Sequence, residues 1–231
     1  RMQNLRRLTA ALLLLVATGA AAEAASLRVT TWNLNWFPSG SPDRLAPERE
    51  HRSIEQAAAI LAGLDSDIIV LQEVRDWDAA ERLAQALGEN YQAVICSRFP
   101  DERTGAPAGR QLAILSRLPV ESSWAERWRA ESWLHPAGGH VFAAVRVGDT
   151  LTGVFGVHLK NNLTSGDLFP ATQLNILQRE VCVDQLMSQV EKLDNQQPGA
   201  YGAFVIAGNF NTCRDQSAFV SERTVSLLHE S

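Results

Sequence analysis

The run Ile68-Ile69-Val70-Leu71, entered from Asp67, constrains this chain more than any other segment. Consecutive apolar residues without polar alternation fit a strand covered on both faces. Ala203 to Ala207, ending in Gly208-Asn209-Phe210-Asn211, reads as a second buried strand. Shorter β-type runs fall at Leu27–Thr31, Tyr91–Cys96, Gln111–Ser116, Val120–Trp124, His140–Val147 and Leu151–His158, punctuated by Gly, Pro and Asp. Helical spacing alternates with them. Ile54, Ala57, Ala58 and Leu61 fall on one face, after a loop holding Pro38, Pro42 and Pro47. Asp76 is placed to cap a helix that carries Leu83 and Leu87. A long helix is expected over Thr172–Leu193, with Val183, Leu186, Met187 and Val190 inward, and a last helix from Gln216. Strands joined now by hairpins, now by helices, imply mixed sheets with helices outside, an α/β or α+β fold.

The first residues are a separate object. Arg1, Arg6 and Arg7 precede the apolar run Ala10–Val16 and a stretch of small residues with an A-x-A-like site at Ala22-Glu23-Ala24. This is the pattern of a signal peptide over residues 1–24, followed by one domain over 25–231; the apolar run is short for a membrane span, which needs about 20 residues. Export to the periplasm or medium is expected, with no transmembrane segment in the mature chain. Removal of residues 1–24 would take the net charge from −5 to −7. An acidic protein repels phosphate backbones unless local cations reverse the field, which argues against a passive nucleic-acid-binding module. Cys96, Cys182 and Cys213 match no zinc spacing and allow at most one bridge.

Polar clusters stand where apolar strands end: Trp32-Asn33-Leu34-Asn35, Leu71-Gln72-Glu73-Val74, Val157-His158-Leu159-Lys160-Asn161-Asn162 and Gly208-Asn209-Phe210-Asn211. Each has a plain interpretation as a turn asparagine, a solvated acid or a sheet-edge histidine. Together they supply one carboxylate, one imidazole and several amides, a set suited to a hard cation and a phosphate.

The ordered motifs TWNLNW, LQEV, GRQLAILSRLPV, VHLK, QRE in the long helix and GNFNT resemble the signature of the endonuclease/exonuclease/phosphatase (DNase I-like) superfamily over roughly residues 27–228. The resemblance implies a four-layer sandwich of two packed mixed sheets flanked by helices, with the site at one sheet edge. It implies a metal held by Glu73 with Asn33, namely Mg²⁺, with Mn²⁺ or Ca²⁺ as substitutes. It makes His158 an acid/base and phosphate contact, Asn211 a phosphate ligand, and Arg110 and Lys160 substrate contacts, although solvated surface charge is the plainer role for those two. The implied partner is a phosphodiester substrate, nucleic acid in the first instance; no stable protein partner is implied.

Two departures stand out. The last motif normally reads GDFN, and Asn209 holds the aspartate position with an amide that cannot take a proton as a general base. The family's C-terminal S-D-H motif does not follow His229, and the chain is expected to be cut short there. The leading expectation is therefore a metal-dependent phosphodiesterase, a nuclease acting through activated water. The alternatives are a sphingomyelin- or phosphoinositide-type phosphoesterase, with Trp124, Trp128 and Trp133 as a conceivable lipid-facing loop, or a catalytically impaired phosphate-binding protein.

Overall fold

Two four-stranded sheets form the centre of the molecule, in a computed structural model that describes residues 26–101, 103–162, 168–212 and 219–229, with backbone alone at 168–170. The first contains β1 (Val29–Phe37), β2 (Ile68–Val74), β3 (Gln92–Cys96) and β4 (Gln111–Ser116) in the order β1-β2-β4-β3. The second contains β5 (Val120–Arg127), β6 (Gly139–Val147), β7 (Thr150–His158) and β8 (Tyr201–Asn209) in sequence order. Both are mixed. β1 runs parallel to β2 and β7 parallel to β8, while the remaining pairs are antiparallel.

The period of two in β2 explains the layering. Ile69 and Leu71 face one way, into a core shared with Ile54, Leu61 and Leu83 of the helices α1 (Pro47–Ala62) and α2 (Trp77–Leu87). Ile68 and Val70 face the other way, against Ile114, Val141, Val145 and Val154 between the sheets. A third core packs Phe142, Phe155 and Val157 beneath Val183 and Leu186 of α3 (Leu168–Gln196). The result is the expected helix–sheet–sheet–helix sandwich. Asp76 caps α2, its Oδ1 accepting from the Ala79 N–H at 2.9 Å, a contact of the kind worth about 1 kcal/mol.

Several expectations need correction. β1 and β2 do not stop at the first polar residue but continue to Phe37 and Val74, because both strands bulge there instead of ending. Pro47 belongs to the first turn of α1, where its missing N–H costs nothing. Among the described residues β8 lies at the edge of its sheet, with Gly202 and Ala203 exposed and 204–207 half-buried, where the composition of Ala203–Ala207 suggests a buried strand. The described part of the last segment holds a 3₁₀ turn at Ser226–His229 rather than a helix. Trp128 is buried and Trp124 packs on Phe142, which leaves Trp133 alone exposed among the three tryptophans considered for a lipid-facing loop. Cys96 and Cys182 are buried free thiols. The expected signal segment and Cys213 lie outside the described residues.

Candidate functional site

The ends of the central strands bring Asn33, Glu73, His158, Asn209 and Asn211 to the wall of one open depression, with Asn161 and Asn162 beside them. Strands from both sheets contribute, so the site spans the rim of the sandwich.

Glu73 owes its position to a bulge. In β2, Gln72 pairs with Leu112 and Val74 with Gln111, which leaves Glu73 as the extra residue of its strand. Its φ is +60°, in the left-handed region. A non-glycine residue held there costs of the order of 1 kcal/mol or more, and such strain is commonest where a side chain must be aimed. Asn33 Nδ2 donates to Glu73 Oε1 at 3.2 Å, while Asn33 Oδ1 accepts from the Asn35 N–H at 3.0 Å. The second bond fixes which amide atom is oxygen. Asn33 therefore helps to orient the Glu73 carboxylate.

The same device recurs in the other sheet. Asn209 Oδ1 accepts from the Asn211 N–H at 3.1 Å, and Asn211, at φ +54°, matches Asn35 at +50°. Asn211 Nδ2 donates to the Leu159 carbonyl at 2.7 Å, tying the end of β8 to the end of β7. Gly208 allows that approach: at its φ of +150° a Cβ would lie 2.0 Å from the Val157 oxygen.

His158 Nε2 is 3.8 Å from Glu73 Oε1. Burial pushes the imidazole pKa below its ordinary value and the Arg110 charge pushes the same way, against the opposing pull of Glu73. At neutral pH the ring is uncharged, with one nitrogen able to accept a proton and the other to donate one.

A supporting network escaped the sequence reading. Arg179 of α3 is fully buried, yet donates through Nε and Nη2 to both oxygens of Glu222, at 2.6 and 2.9 Å. Its Nη1 reaches the Lys160 carbonyl at 2.9 Å and Asn162 Oδ1 at 2.7 Å. Asn162 Nδ2 in turn donates to the Asn211 carbonyl at 2.9 Å. The guanidinium thus fixes the loop after His158 and, through it, the turn holding Asn211. A charge at a helical core position, amid the apolar face of α3, was the signal available. Arg110 and Lys160 flank His158 on a neighbouring cleft rather than in the depression itself.

The donor set suits a magnesium-type cation. Such ions are bound through one or two carboxylates while water and substrate oxygens complete the shell, and Glu73 supplies one aimed carboxylate. No group of three or more His, Cys, Asp or Glu side chains able to cage a metal occurs among the described residues.

A sequence model of the endonuclease/exonuclease/phosphatase family matches residues 30–229. The chain belongs to that family. No curated protein sequence matches it significantly. Among solved structures, TDP2 from Caenorhabditis elegans aligns with a TM-score of 0.53 at 20% identity, over 82% of this chain and 49% of that one. A mannosyl-6-phosphatase from Bacteroides thetaiotaomicron aligns with a TM-score of 0.58 at 14% identity, over 87% of this chain and 70% of that one. Sphingomyelinase C from Streptomyces griseocarneus gives 0.56 at 20% identity, over 85% and 68%. At these identities the likeness is one of fold. The chain spans about half the length of the nematode protein.

Proposed function

We propose that this protein is a divalent-metal-dependent phosphodiester hydrolase whose site is the rim depression around Glu73 and His158. The observation that carries this reading is the convergence of an aimed carboxylate, an imidazole and paired Asx turns from two different sheets on one depression. Glu73 would hold Mg²⁺ or Mn²⁺, with Asn33 keeping its carboxylate in place. A bound cation supplies charge neutralisation on the phosphoester oxygens. His158 Nε2 accepts or donates a proton at the phosphate, a contribution typically of about 10²- to 10⁴-fold. Asn211 fixes the phosphate-facing turn, and Arg110 and Lys160 meet the substrate beyond it. Asn209 stands where the family carries its water-orienting aspartate, and a neutral amide there makes turnover slow.

Nucleic acid is the proposed substrate and export the proposed destination, the latter resting on the leader pattern of residues 1–24. No described helix is long and apolar enough to cross a membrane. Nicking of supercoiled plasmid in Mg²⁺ or Mn²⁺, stopped by EDTA, is the expected result. Hydrolysis of sphingomyelin vesicles without nicking would replace the substrate, and EDTA-insensitive nicking would remove the metal from the scheme.

A further inference from the structure

α1 carries one charged residue in its buried stripe. Glu50 shares a helical face with Ile54, Ala57, Ala58 and Leu61, which pack against the first sheet, and it is 5% exposed. A carboxylate at such a place needs partners, since burial disfavours an unpaired charge. Its Oε1 accepts from two directions, from Ser39 Oγ at 3.0 Å and from Arg75 Nη1 at 2.5 Å. Arg75 also donates through Nε to Asp76 Oδ2 at 3.0 Å, and Arg82 Nη1 stands 3.8 Å from Glu50 Oε2. Burial alone would raise the Glu50 pKa, but the Arg75 and Ser39 hydrogen bonds hold it below its ordinary value, and the group is ionised at neutral pH.

The two donors come from either side of the Asn33–Glu73 pair. Between the partners Asn33–Gln72 and Phe37–Val74, β1 has three residues where β2 has one. Asn35, Trp36 and Glu73, all within that stretch, have φ of +50°, +59° and +60°. Left-handed backbone at residues other than glycine persists only where surrounding contacts fix it. On the β1 side, Ser39 and Gly40 donate their N–H groups to the Trp36 carbonyl at 2.9 and 2.8 Å, and the Ser39 hydroxyl ends on Glu50. On the β2 side, Arg75 donates its N–H to the Phe37 carbonyl at 2.8 Å, and its guanidinium ends on the same Glu50 oxygen. One oxygen on a helix thus ties together the exits of both irregular segments.

We propose that Glu50, outside the lining of the depression, is a positioning residue for the site: by joining Ser39 to Arg75 it holds the left-handed segments that set the Glu73 carboxylate against the Asn33 amide. The inference rests on the reading of Glu73 as the metal ligand and adds to it what keeps that ligand aimed. A pair that served only to fasten α1 to the start of α2 would involve Arg75 and Asp76 and leave the Ser39 hydroxyl out, whereas here Ser39 shares the oxygen. Without the carboxylate, Asn35 and Trp36 relax from the left-handed region, the Asn35 N–H leaves Asn33 Oδ1, and the Asn33 amide turns away from Glu73.

Two readouts test this, one of them in the metal-free protein. In amide-resolved NMR without metal, Glu50→Gln should shift the Asn35 N–H and the Asn33 side-chain amide and speed exchange of the former, while Phe142 and Val154 of the other sheet keep their signals. Calorimetry with Mn²⁺ should show binding about tenfold weaker in this variant, the lower end of what loss of a supporting group behind a ligand costs. Ser39→Ala removes one neutral hydrogen bond and no charge; it should move the same signals with a loss of about threefold, and it carries the test should Glu50→Gln lose the fold. The double variant Glu50→Met/Arg75→Met continues the apolar stripe, a change that commonly restores stability after a buried pair is removed, and it should nevertheless keep the weak Mn²⁺ binding. Unmoved Asn33 and Asn35 signals in the single variants, or natural Mn²⁺ affinity in Glu50→Gln or in the double variant, overturns the proposal. If the natural sequence itself binds no Mn²⁺, the metal reading of Glu73 fails, and the metal-free signals alone decide whether Glu50 holds the Asn33–Glu73 pair.

Discussion

His158 Nε2 stands 3.8 Å from Glu73 Oε1, linking the end of β7 in one sheet to the bulge of β2 in the other. The two sheets meet chemically there as well as through their shared apolar core. A site made this way depends on the relative placement of the two sheets, which is why the buried contacts between them matter to chemistry.

Glu73 is expected to dominate metal affinity. Calorimetric titration with Mn²⁺ should show at least about tenfold weaker binding in Glu73→Gln, which keeps the hydrogen-bonding shape but removes the charge a hard cation prefers. Equal affinity in the two proteins would exclude Glu73 as a ligand.

Arg179 and Glu222 form a buried pair that is expected to matter for both stability and site geometry. Removal of one member of such a pair leaves a buried charge alone, at a cost of about 3–5 kcal/mol. Urea denaturation of Arg179→Met should show a loss of that order, and the double variant Arg179→Met/Glu222→Met should recover most of it. Recovery of stability without recovery of phosphodiester hydrolysis would mark the separate role of the guanidinium in holding the Lys160 and Asn162 loop. A loss below about 1 kcal/mol in the single variant, within the range of a solvated surface pair, would contradict the network.

His140 predicts acid lability. Its ring is 4% exposed, neither nitrogen has a hydrogen-bond partner in the described structure, and Trp128, Trp124 and Phe155 surround it. Burial pushes its pKa from 6.5 down to about 4. Above pH 6.5 the ring is neutral whether folded or unfolded, and its effect on stability is constant. As the pH falls below 6.5 the unfolded chain takes up the proton first, so stability declines until about pH 4, by roughly 3 kcal/mol in all. Urea midpoints measured between pH 7 and pH 4 should fall less steeply in His140→Phe than in the natural sequence. Parallel curves would mean that the folded protein accommodates the imidazolium.

The strand set was readable because it depends on local pattern, as in the unbroken run at Ile68–Leu71, the helical spacing from Ile54 to Leu61 and the cap at Asp76, whereas the order of layers came with the family resemblance. The candidate residues were readable as polar groups at strand ends. What could not be read is how they are aimed. Nothing in Leu71-Gln72-Glu73-Val74 announces a bulge, since that depends on how β4 pairs opposite. That Asn33 also donates to Glu73 is not legible in the motif, since it depends on where Asn35 turns. Arg179 shows the same limit: its place amid the apolar face of α3 could mark it as buried, but its partner Glu222, distant in sequence, could not be read from that. The edge position of β8 is likewise a matter of topology, which composition does not carry.

The central claim, metal-dependent hydrolysis with a neutral amide at the water-activating position, is tested most directly at Asn209. Aspartate is nearly isosteric with asparagine and can accept from the Asn211 N–H as Asn209 Oδ1 does at 3.1 Å, so the turn survives the change. Release of p-nitrophenol from bis(p-nitrophenyl) phosphate in Mg²⁺ or Mn²⁺ should rise at least about 10²-fold in Asn209→Asp, the scale of general-base assistance, and should vanish with EDTA. An Asn209→Asp protein no faster than the natural sequence, or one whose rate is indifferent to EDTA, would contradict the account.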